Sequence, residues 1–207
     1  MMKWLGCLGV LVLVVLIVGG MAMGTYNRLV TLGQGTDAQW AQVENQYQRR
    51  ADLIPNLVST VQGAANFEKS TLEEVIKARA SVGQVNLGNL PNDPAAFARF
   101  QQAQDGLSSA LSRLMVVVER YPELKANQNF RDLQVALEGT ENRVSVERNR
   151  YNEAAQSYNT ARLRFPAVAF ANVLGMREKA YFKAAPGSEK APSVNFSFGA
   201  SPAPAER

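Results

Sequence analysis

The sequence predicts an all-α protein: an N-terminal transmembrane helix, a long antiparallel three- to four-helix bundle, and a disordered C-terminal tail. Three observations carry that expectation. Residues 5–23, LGCLGVLVLVVLIVGGMAM, hold no charge. Long stretches between 37 and 165 then space their apolar residues by three and four, the repeat of one buried helix face. From Ala184 the chain turns rich in Pro, Ala and Ser, a composition that buries too little apolar surface to order a chain.

The apolar run comes first. Nineteen residues at 1.5 Å rise span about 28 Å, close to the thickness of a hydrocarbon core. Two readings of it stay open. A cleaved signal peptide would use MMKW as its charged start and AMG, 22–24, as a small-residue cleavage site. An uncleaved anchor is favoured, because the run exceeds a typical signal core. A lipoprotein signal is excluded, since only six residues precede Cys7. Gly20-x-x-x-Gly24 would let two anchors approach, although at the end of a span an ordinary glycine-bearing boundary explains it as well. Lys3 before the span and Arg28 after it lean slightly toward an internal N-terminus and an exported domain.

TLGQGTD, 31–37, reads as a glycine-bearing linker with Thr36 or Asp37 capping the next helix. Apolar steps follow at Trp40, Val43, Tyr47, Ile54, Leu57 and Val61, with Arg50 in the missing place. The same register continues through Ala65, Glu68, Leu72, Val75, Arg79 and Val82. The periodicity favours one long helix, 37–82, bent at Pro55; Pro55 and Gly63 favour a hairpin turning around QGAANF, with Asn66 as second cap. GQVNLGNLPNDP, 83–94, is a loop. A helix over about 95–121 presents Phe97, Phe100, Gln104, Leu107, Leu111, Leu114, Val118 and Tyr121. Asn127 or Asn129 caps another over about 130–165, whose seam runs Phe130, Leu133, Leu137, Thr140, Val144, Glu147, Tyr151, Ala154, Tyr158, Ala161, Phe165. Pro166 ends it. AVAFANVLGM then forms a short helical piece that closes the bundle or dips toward a membrane surface. In the tail, the alternating Val194, Phe196 and Phe198 suit a strand added to a partner's sheet, or simply a tail.

Composition excludes much chemistry. The chain has no histidine, hence no Ser-His-Asp or Cys-His relay and no Glu-x-x-His di-iron site. One cysteine permits no intrachain disulfide. The net charge of +4 is scattered, with no basic block of the kind that binds nucleic acid. No enzyme activity, cofactor or metal is expected. The residues singled out as structural or partner-docking are Arg49, Arg50, Asp52 and Pro55, in RRADLIPNLV (49–58), together with Glu147. Arg50 lies on the seam, where a buried unpaired guanidinium is costly. Glu147 and Gln104 interrupt the other two seams, so these polar residues are expected to share one layer, with Arg50–Glu147 as the candidate pair. Arg49 and Asp52 fall off the seam; a blander reading puts Arg49, Arg50 and Asp52 on a solvated helix face and has Pro55 merely bend the helix.

The motifs together resemble the LemA family of bacterial membrane proteins. They are YNRLV (26–30), WAQVENQYQRRADLIPNLV (40–58), VIKARA (75–80), ERYPELKA (119–126), RNRYN (148–152), FP (165–166) and PSVNF (192–196). The resemblance implies an N-terminal transmembrane helix carrying a helical bundle in the bacterial cytoplasmic membrane. It implies no catalytic residues, and it places the short N-terminus outside, opposite to the charge-based lean. The expected function is a non-enzymatic, single-pass scaffold that contacts membrane lipid and self-associates as a homo-oligomer. The alternatives are an accessory subunit of another membrane protein, such as a protease or sensor, and a membrane-remodelling oligomer.

Overall fold

The computed structural model describes residues 2–64, 67–85 and 90–184, and among them every regular element is helical. Helix α1 runs from Met2 to Gln62, 61 residues without interruption, roughly 90 Å at 1.5 Å per residue. From Leu8 to Met21 every side chain is exposed. This is the one helix among the described residues long and apolar enough to cross a membrane. At Leu29 burial begins, and the same helix continues as a wall of the bundle.

The expected linker at 31–37 is therefore helix. Two local contacts explain why its glycines do not break it. Thr36 is fully buried and its hydroxyl donates to the Leu32 carbonyl at 2.9 Å. A Cβ placed on Gly33 would lie 3.5 Å from the Tyr158 ring, so this face of α1 is packed rather than solvated. Neither Thr36 nor Asp37 caps a helix start.

The favoured single helix over 37–82 is also corrected. The chain breaks after Gln62, and α2 occupies Lys69–Gly83. The hairpin reading is the right one, although α2 follows Glu68 in the capping position and Asn66 lies outside the described residues. The apolar register survived the break for a physical reason. Leu72 and Val75 of α2 bury in the same core as Leu57 and Val61 of α1, so both arms keep helical spacing toward one target.

A 3-10 turn at Leu90–Asn92 leads into α3, Pro94–Val118, whose start is capped by Asp93 accepting from the amides of Ala95 and Ala96. Pro94 stands where a missing N–H costs nothing. Short α4 (Pro122–Ala126) turns the chain into α5 (Gln128–Leu163), capped by Asn127 accepting from the Phe130 amide. α6 covers Ala167–Ala171, and residues 177–184 run extended along the bundle.

α5 lies antiparallel to α1, and α2 packs on α3. The core falls into three clusters. The first joins Ile54, Leu57, Val61, Val75, Leu114 and Phe130. The middle one is aromatic, with Trp40, Tyr47, Phe97, Phe100, Tyr151 and Phe182. The third, nearest the apolar end of α1, joins Leu29, Tyr158, Ala161, Ala167 and Ala171. In the middle cluster Trp40 has ring centroids of Phe97, Phe100, Tyr151 and Phe182 within 6.0 Å. Of the seam predicted for α5, Phe165 departs most: α5 has ended by then, and this ring is 81% exposed.

Candidate functional site

Arg50 is 1% exposed, the largest fully buried side chain in the bundle. It sits between Tyr47 of the aromatic cluster and Ile54 of the first cluster, one helical turn from each. Its Nη1 donates to Ser108 Oγ at 2.9 Å and to Glu141 Oε2 at 2.6 Å, and its Nη2 donates to Gln104 Oε1. Its guanidinium stands 5.2 Å from the centroid of the Tyr47 ring. The expected meeting of Arg50 with Gln104 is therefore present. The expected partner Glu147 is not: it pairs with Arg150 at 2.8 Å on its own helix. Glu141, six residues earlier, takes the role.

Glu141 is 53% exposed at its side chain, so it answers the buried arginine from the bundle rim. A carboxylate held there keeps part of its hydration, which avoids most of the desolvation cost of a fully buried pair. Seam periodicity points to Glu147 because it looks for the partner inside.

A second polar group lies one turn nearer the apolar end of α1. Arg148 donates from Nε to the Tyr47 hydroxyl at 2.6 Å and approaches Asp105 at 3.5 Å. It also stacks over Phe182 at 4.8 Å. Burial pushes the Tyr47 phenol above its ordinary range, against the smaller opposing pull of Arg148.

The remainder of RRADLIPNLV divides by face. Arg50, Ile54 and Leu57 are buried, whereas Arg49, Asp52 and Pro55 are exposed. Asp52 accepts from Gln48 at 2.8 Å along the helix. Pro55 has no N–H to give the Ala51 carbonyl, four residues back. Arg79 of α2 supplies the missing donor: its Nε lies 3.2 Å from the Ala51 oxygen. The proline thus leaves an acceptor on α1 that α2 fills.

The extended segment after α6 is held by side-chain amides. Asn159 accepts from the Lys179 amide at 2.9 Å and donates to the Lys179 carbonyl at 2.8 Å. Asn152 does the same for Phe182, at 3.0 and 3.1 Å, and Gln101 of α3 for Lys183, at 3.2 and 2.7 Å. Tyr151 donates to the Ala180 carbonyl at 2.9 Å. The buried Lys179 ammonium reaches Asp37 of α1 at 2.6 Å. The packed chain continues up to the start of the expected tail, with Lys183 bound to the bundle. Val194, Phe196 and Phe198 lie outside the described residues.

Glu141, Ser108 and Gln101 do not stand out in the sequence, whereas Arg79 falls on the predicted register and inside VIKARA, and Asn152 closes RNRYN. The spacing of Asn152 and Asn159, two helical turns apart on one face, is a further signal. Among the described residues no group of three or more Cys, Asp or Glu side chains is placed to hold a metal ion. The cleft between α1, α3 and α5 beside Arg50 measures about 200 Å³ and is lined by Leu111, Met115 and Leu137 as well as the polar layer.

These features define an all-α bundle built directly on a helix able to cross a membrane. The chain belongs to the LemA family, whose profile matches residues 39–196. It is 28% identical over 181 residues to the magnetosome protein MamQ 2 of Paramagnetospirillum magneticum, covering 79% of this chain and 66% of that protein. Magnetosome protein MamQ of Magnetospirillum gryphiswaldense is 27% identical over the same shares. Protein LemA of Metamycoplasma hominis is 27% identical over 136 residues, 66% of this chain and 58% of that one. The chain thus spans about two thirds of the length of the magnetosome relatives it matches.

Proposed function

We propose that the protein is a non-enzymatic, single-pass membrane scaffold that self-associates through its bundle or its anchor. One observation carries this reading: α1 passes from a fully exposed apolar stretch into the bundle without a break. A helix that is solvent-exposed and apolar over a bilayer's thickness finds its burial in lipid. Because the same rod then becomes a wall of the bundle, the domain is fixed to the membrane rigidly rather than on a tether. The buried Arg50 and Lys179 and the half-buried Arg148 support a structural role, since each is engaged by groups on other elements. Size measurement of the full chain in detergent tests the reading, and a strictly monomeric species at every concentration would overturn self-association.

A second reading, an accessory subunit of another membrane protein, is favoured by the outward face of the family motif. Arg49, Asp52 and Pro55 are exposed on α1 while their neighbours Arg50 and Ile54 build the core. On this reading, crosslinking in native membranes captures a partner with the wild type and loses it in Arg49→Ala/Asp52→Ala. An unchanged set of crosslinks removes that face from consideration.

A further inference from the structure

We infer that the corner between α5 and α6 is a second membrane contact, lying in the interfacial layer of the bilayer beside the α1 span. This rests on the span reading above, and the experiment below separates the two.

The first observation is a cluster. Leu163, Phe165, Val168, Val173 and Leu174 are 61%, 81%, 46%, 86% and 45% exposed. Away from this end of the bundle, the exposed large apolar residues Ile76, Val116, Val135 and Val146 are scattered over three helices. Single exposed apolar residues are ordinary, but five within one short turn-and-helix segment call for a partner.

The second observation says which partner. α5 descends along α1 toward the apolar run. Glu141 meets Arg50, Tyr151 stands 5.5 Å from Trp40 between ring centroids, Tyr158 lies against Gly33, and Ala161 packs with Leu29. Leu29 follows Met23, the last residue of the apolar run, by only about 9 Å along the helix. α5 ends at Leu163, and Arg164 borders a hollow with Arg28 and Leu32 of α1. The adjoining Phe165 therefore stands at the end of the bundle next to the apolar run, where an aromatic belt would sit. α6 buries Ala167 and Ala171 against Leu29, which leaves Val168, Val173 and Leu174 outward.

The charges agree with a lipid surface. Arg28, Arg164 and Arg177 are exposed around the corner, and none is in an ion pair among the described residues. Glu178 is the acidic residue nearest in sequence. Apolar side chains rimmed by arginine suit an interface where acyl chains meet phosphate head groups. Such a contact, offset from the span, fixes the tilt and rotation of the bundle on the membrane.

The test uses the full chain with Cys7→Ser, reconstituted in phosphatidylcholine–phosphatidylglycerol vesicles. Single nitroxide labels are placed at Phe165→Cys and Val173→Cys. Val15→Cys in the span and Val116→Cys on exposed α3 serve as references. All four sites are exposed, so the fold tolerates the labels. The ratio of oxygen to nickel-chelate collision rates should be several-fold higher at 165 and 173 than at 116. Values at 165 and 173 equal to that at 116, with 15 reading as lipid, overturn the inference alone. Aqueous values at all four sites overturn the span as well.

Discussion

Arg79 donates to the carbonyl oxygen of Ala51, the α-helical acceptor that Pro55 leaves empty. Two stretches that read as separate signals, RRADLIPNLV and VIKARA, meet in this one bond. It joins α2 to α1 where few other contacts do.

The energies of the two changes should therefore be coupled. Arg79→Ala in the wild type leaves Ala51 to water and is expected to cost about 0.5–1.5 kcal/mol, the usual net worth of such a bond. In a Pro55→Ala background the backbone donor returns, and the same substitution should cost close to nothing. A double-mutant cycle measured by urea unfolding checks this. Equal costs in both backgrounds would show that the proline and the arginine act independently.

Arg50 supports a second prediction. Arg50→Met removes the side chain that engages Gln104, Ser108 and Glu141 together; it leaves the buried Gln104 oxygen without its donor, at an expected cost of about 1–3 kcal/mol. Glu141→Gln keeps an acceptor but leaves the buried guanidinium without a counter-charge, and should cost more, toward about 3 kcal/mol. Exchanging the charges as Arg50→Glu with Glu147→Arg should rescue nothing, because Glu147 lies six residues beyond the layer and pairs with Arg150. Chemical denaturation ranks the three variants; rescue by the exchange would restore the seam pairing.

What the sequence made legible follows from what periodicity measures. Trp40, Val43, Tyr47, Arg50, Ile54, Leu57 and Val61 all bury as the spacing required, as do Phe97 through Val118 on α3. Spacing reports which side of a helix faces a core, and it reports nothing about where the helix stops. Hence spacing alone joins α1 and α2 into one rod, and the glycines make 31–37 look like a linker although Tyr158 packs against Gly33. The roles of Glu141 and Arg79 escape the pattern for a related reason: both act from exposed positions, where any polar residue fits and only the fold supplies the partner. Asn159 is buried, but spacing cannot say that its partner is the backbone at Lys179.

The amide clasps give a third prediction. Asn159 is 4% exposed and makes both bonds with Lys179. Asn159→Ala leaves a buried N–H and carbonyl unpaired, at an expected cost of about 1–3 kcal/mol. The loss should be local first: amide exchange at Lys179 and Phe182 should accelerate while Val144 and Leu114 in the bundle keep their protection. Asn152→Ala, half-buried, should show a smaller effect centred on Phe182. Unchanged exchange across 177–184 would mean that Phe182 and Lys179 hold the segment without the clasps.

Glycine in the middle of α1 sets up a fourth. A Cβ on Gly35 would meet nothing within 4 Å, and one on Gly33 only ordinary contact with Tyr158. Both residues are helical, so alanine removes unfolded-state freedom without strain. Gly35→Ala should stabilise by about 0.5–1 kcal/mol, and Gly33→Ala by no more than that. Thermal unfolding of each variant in detergent checks the direction, and a destabilising Gly35→Ala would show that this turn of α1 is not the regular helix described.

Alkaline pH should weaken the fold, and the sign follows from the buried phenols. Burial raises the Tyr47 and Tyr151 hydroxyls above the ordinary tyrosine value of 10.0. Between that value and the raised one, the unfolded chain releases protons that the folded chain retains. The folded state then binds more protons, so stability is full below pH about 10 and falls as pH rises, by up to about 1.4 kcal/mol per pH unit for each phenol. Lysines titrate nearby, and phenylalanine variants separate the contributions. Tyr151→Phe forfeits the bond to Ala180 and should start less stable. Its decline with pH should nonetheless be shallower than that of the wild type, and the double variant with Tyr47→Phe shallower still. Unfolding free energies measured from about pH 8 to about pH 11, with phenolate absorbance followed in parallel, decide the matter: equal slopes in all three proteins would clear Tyr47 and Tyr151 of the alkaline loss.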